Sequence, residues 1–303
     1  MSKEQDNQFW DKYKKVNNKL KEYFLCIPPY CLHEIDIEEM YQALIKHDKK
    51  KLFSLVSKRI YNPSQRAYQI EFVFKNCKIF HDVIPILEYS MYDVMKNNWM
   101  CAYIALMPVV ETVMRKWMAE INGEKANFQF PLSVSLYKNI KGYDDEREIM
   151  IDCFKEYLTF ILKDSLFLPI TKYDKKGYYD KFNRQYLLHK LLGVKNFEEG
   201  SRNLVRLLLV LDVIAELYLM QDCNHRWEIR FYADPENNID YQLRKELYTK
   251  LCMQSVGPDD LLIIYNCFLK KGVNNTNKIN TISLLRLKQE IINAKYQNIS
   301  KKT

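Results

Sequence analysis

The chain is poor in residues that break helices. Seven Gly and nine Pro among 303 residues leave few sites for tight turns, which argues against many short strands and for long helices. Apolar runs long enough to cross a membrane are also missing. The longest, 204–220, is interrupted by Arg206, Asp212 and Glu216, so no membrane association is expected. Eight cysteines stand at positions 26, 31, 77, 101, 153, 223, 252 and 267, with no C-x-x-C pair and no Cys/His cluster. That spacing argues against a structural zinc, and the thiols within apolar helical patterns behave as small hydrophobes. Neither a metal nor a cofactor is expected. No glycine-rich phosphate loop, G-x-S-x-G or H-E-x-x-H occurs, which removes the common phosphate-loop, serine-hydrolase and zinc-protease classes. The opening stretch MSKEQDNQFWDKYKK is polar throughout, unlike a signal peptide. With this cysteine usage, a reducing cytoplasm is the expected location.

Hydrophobic residues make up 48% of the chain, enough for a sizeable core in one large or two to three small domains. Lys and Arg outnumber Asp and Glu by 46 to 38, a formal net charge of +8. An anionic partner is favoured over a cationic one, with a solvated lysine surface as the alternative.

Periodicity predicts a mainly helical, all-α chain. Phe9, Tyr13, Val16, Leu20 and Phe24 recur at helical spacing, and Pro28-Pro29 ends that helix. A second helical stretch runs from 36 to 59. Residues 68–80 alternate well enough for a short strand, with a helix as the alternative, and 226–233 is another short-strand candidate. Two helices fill 82–121. In the second, Trp99, Tyr103, Leu106, Val110, Val113 and Trp117 form a heptad-like seam, with Pro108 expected to kink it. Asp144 and Asp145 cap a helix over 146–163. A polar loop, TKYDKKGYYDKFNRQ, leads to a helix starting at Ser201 that is apolar nearly all round and must be buried on both sides. Further helices are expected at 240–254, 258–270 and 281–297. The natural division is a helical N-terminal region, 1–80, a central helical domain, 81–222, and a helical C-terminal region, 223–303.

One segment carries candidate chemistry: Phe182-Asn183-Arg184-Gln185-Tyr186-Leu187-Leu188-His189, with Arg five residues before His. With 11 Arg and five His in the chain, about 0.5 such pairs arise by chance, so spacing alone decides nothing. The surroundings add weight. Between Lys172 and Arg206, nine basic and four acidic residues leave a net +5. Tyr178, Tyr179 and Tyr186 lie among them, and aromatic rings beside cations suit a single strand, whose bases stack while its phosphates pair. On a helix, residues five apart are separated by about 140°. Arg184 and His189 would then need a bend, or a second copy, to meet one phosphate.

The stretch NRQYLLH followed by EEGSRNLVRLLLVLDVIAELY resembles the end of the domain shared by the HEPN superfamily of helical ribonucleases, found in toxin–antitoxin and abortive-infection systems. Upstream, YIALMPVVETVMRKWM resembles the helix that packs under the site in that family, with Glu111 at an acidic position often found there. The resemblance covers about residues 82–222. It implies an antiparallel helical bundle with N- and C-terminal extensions, a homodimer, and metal-independent cleavage of single-stranded RNA. His189 would act as general base on the 2′-hydroxyl or as acid on the leaving 5′-oxygen, and Arg184 would stabilise charge on the pentavalent phosphate. Asn183, Gln185 or Tyr186 would hold the imidazole or the phosphate, and Glu111 would serve as helper or ion-pair partner of a nearby Arg. Lys175, Lys176, Tyr178, Tyr179, Lys181 and Lys190 would contact RNA. An antitoxin or other regulatory protein is a further implied partner. Two positions depart from the family: Gln185 stands where Asn, Asp or His is usual, and Lys190 where many members have Gly. A non-catalytic helical module that dimerises or binds a protein or nucleic acid is therefore the alternative.

Overall fold

The computed structural model describes residues 3–31, 33–123, 135–142, 144–178, 181–190, 197–221 and 234–253. Among them the chain is all-α, with no strand. Helix α1 (Lys3–Leu20) buries Tyr13, Val16 and Leu20 completely, as their spacing requires. Asn17 on the same helix donates to Tyr13 O at 3.1 Å and accepts from Ile27 N at 2.8 Å, pinning the returning segment beneath it.

The stretch expected to be one helix from 36 to 59 is two, α2 (Glu34–Ile45) and α3 (Lys49–Ile60). The break is a capping event. His47 takes a left-handed φ of 52°, and the Asp48 side chain accepts from Lys51 N at 2.9 Å, satisfying a donor the new helix cannot pair internally. Helix α4 (Pro63–Tyr68) starts the same way, with Asn62 as cap and Pro63 in the first turn.

The short strand considered for 68–80 does not form. The chain runs on as a π turn, Gln69–Val73, and 3-10 turns, Phe74–Asn76 and Lys78–Val83. Ile70, Phe72, Val73 and Phe74 are all buried. Alternation misled because the wide turn and then the tight turns bring both apparent faces inward. The other strand candidate, 226–233, lies outside the described residues, as do 258–270 and 281–297.

Helices α5 (Ile84–Met95) and α6 (Trp99–Asn122) stand where two helices were expected. Tyr103, Leu106, Val110, Val113 and Trp117 of the seam are wholly buried. Pro108 lies inside α6; it and Ile104, whose carbonyl loses its usual donor, are both exposed, so water can serve that carbonyl. Helix α7 (Asp145–Ile161) is capped by Asp144, which accepts from Arg147 N at 2.8 Å, and continues into a π turn, Leu162–Leu166.

Two short helices follow, α8 (Ile170–Lys175) and α9 (Arg184–Lys190), then α10 (Phe197–Met220) and α11 (Ile239–Cys252). Every residue of α10 from Asn203 to Met220 is buried, since α3, α6 and α7 all pack on it. The charged residues of that stretch, Arg206, Asp212 and Glu216, are buried with the rest. Arg66 of α4 and Asp212 of α10, both wholly buried, form a two-pronged pair: Nη1 to Oδ1 at 3.0 Å and Nη2 to Oδ2 at 2.6 Å, with Tyr30 OH accepting from Nη2. Arg206 donates to Asn203 Oδ1 at 2.7 Å and to Tyr23 O at 3.0 Å. One continuous core extends from Tyr13 through α10 to Leu251, across all three expected regions.

Candidate functional site

The segment expected as a loop from 171 to 185 is partly helical, and the reason is local capping. Asn183 is wholly buried. Its Oδ1 accepts from Gln185 N at 2.9 Å and Tyr186 N at 3.3 Å, which starts α9 at Arg184. Its Nδ2 donates to Ser165 O and, at 2.9 Å, to Leu168 O. The π turn at Leu162–Leu166 supplies that first acceptor, and Ser165 Oγ donates to Phe182 O. A short polar helix is thereby bolted to the end of α7.

This bolt fixes where each candidate side chain goes. Arg184 is the first residue of α9, and its Nε lies 2.9 Å from Glu111 Oε2 on α6. The other oxygen of Glu111, Oε1, accepts from Arg115 Nε at 3.0 Å and Arg115 Nη2 at 2.6 Å. Glu111 is thus an ion-pair partner, as expected, and it holds two arginines. His189 lies further along α9 and is exposed, without a hydrogen bond to any described residue. The helical geometry of α9 separates it from Arg184 by about 140° around the axis. On α9 the two positions therefore leave the helix axis in different directions.

Gln185 and Tyr186 serve the scaffold. Gln185 Oε1 accepts from Ile170 N at 3.2 Å, capping α8. Tyr186 is buried and donates its hydroxyl to Asp174. Burial, and then that hydrogen bond, push its phenol up to about 12, so it remains a proton donor at neutral pH. Asn183, with both ends of its amide engaged inside the fold, has no face turned to solvent.

The expected RNA contacts divide. Lys175 and Lys176 are exposed on or just after α8, and Lys176 pairs with Asp164 at 3.2 Å. Lys181 sits 5.0 Å from the Tyr186 ring centroid and 3.3 Å from Asp174. Tyr178 is half-buried, edge-on to Phe24 at 4.7 Å between centroids. Tyr179 and the side chain of Lys190 lie outside the described residues. Phe24 itself adopts a left-handed φ of 60°, held there by packing against Tyr178, Phe160 and the Arg206 guanidinium.

Other chemistries find little here. Among the described residues, no group of three His, Cys, Asp or Glu is placed to hold a metal ion, and no helix is long and apolar enough to cross a membrane. Burial pushes the Cys31 and Cys153 thiols up to about 12, so neither supplies a thiolate at neutral pH. Sequence reasoning missed Arg115, although its place four residues after Glu111 is the spacing of a helical ion pair. It also missed Ser165 and Asp174, whose roles arise only from the fold.

No family model, curated protein or solved structure matches this chain.

Proposed function

We propose that the protein is a metal-independent endoribonuclease of the HEPN type, acting on single-stranded RNA through Arg184 and His189 in a paired molecule. One observation carries the reading. Arg184 Nε lies 2.9 Å from the Glu111 carboxylate of α6, while His189 stands exposed on the same short α9. An arginine whose Nε faces a carboxylate keeps its terminal amino groups for an anion, and a solvent-facing imidazole suits proton transfer. The 2′-hydroxyl would attack the adjacent phosphorus and the 5′-oxygen would leave, giving a 2′,3′-cyclic phosphate. His189 would take the first proton or supply the second, and Arg184 would stabilise the pentavalent phosphorane. Since one α9 points the two groups apart, the reading needs the Arg184 of one copy beside the His189 of another. A defence or toxin role, with an antitoxin or regulatory partner, accompanies this reading through the family resemblance.

The test is cleavage of single-stranded RNA in EDTA by the wild type, His189→Ala and Arg184→Ala. The reading expects wild-type cleavage and loss in both variants; equal cleavage by all three, or none by any, overturns it. A second reading, a non-catalytic helical module that binds a protein or nucleic acid, draws on the engagement of Asn183, Gln185 and Tyr186 in the scaffold. Growth arrest on expression that His189→Ala relieves favours the enzyme, and equal growth with both versions favours the module.

A further inference from the structure

We draw no further inference here: the strongest candidate, the solvent-facing apolar stripe of Met100, Ile104 and Pro108 along α6, is an unpartnered helix face, and nothing in the structure shows what covers it.

Discussion

At the residue scale, Asn183 carries more of the site than its two neighbours in sequence suggest. It caps α9 with one end of its amide and joins two carbonyls with the other. Asn183→Ala should cost about 2–4 kcal/mol, a lost cap plus buried carbonyls left unpaired, measured by denaturant unfolding. Asn97 is the opposite case. It is exposed and left-handed at φ 59° just after α5, where glycine is less strained; Asn97→Gly should stabilise by roughly 0.5 kcal/mol in the same assay. For chemistry, Arg184→Lys should retain binding better than cleavage, because a point charge replaces a fork aimed at the phosphate. A fall in kcat on the order of 10²-fold is expected, by analogy with loss of one donor to a developing charge. Unchanged kcat would remove Arg184 from the reaction.

At the element scale, helices and their apolar faces were legible in the sequence because burial at a period of 3.6 is a strong signal, as in the α6 seam and the buried stretch 203–220 of α10. Boundaries set by side-chain capping were not. Asp48 split one expected helix and Asn183 built α9 inside an expected loop, each through a local hydrogen bond that periodicity does not register. The charges inside α10 were legible as interruptions, but their partners come from residues far along the chain: Arg66 for Asp212, and Tyr23 O for Arg206. Such pairs are invisible until the helices pack. Removing one side of the buried pair should be severe. Asp212→Ala leaves Arg66 charged and enclosed and should destabilise by about 3–5 kcal/mol, whereas Arg66→Met with Asp212→Leu should cost less than Asp212→Ala alone. Thermal unfolding of the two variants checks the order, and a double variant as unstable as the single would contradict it.

At the scale of the whole molecule, one core ties α1, α10 and α11 together. Arg244 of α11 makes this concrete: nearly enclosed, it reaches Glu88 at 2.8 Å and Glu71 at 3.2 Å on earlier elements. The candidate site was legible in the sequence only as far as the Glu111 ion pair. It was not legible in its geometry, because α9 sends Arg184 toward α6 and leaves His189 outward. The account therefore depends on a second copy, and a mixing experiment tests it most directly. Arg184→Ala and His189→Ala proteins, each inactive alone, are unfolded or dissociated together, reassociated and assayed on single-stranded RNA in EDTA. If Arg184 of one copy works with His189 of the other, half of the mixed dimers' sites are intact, and activity should return to about a quarter of wild type. A mixture no more active than its separate components would contradict the shared site.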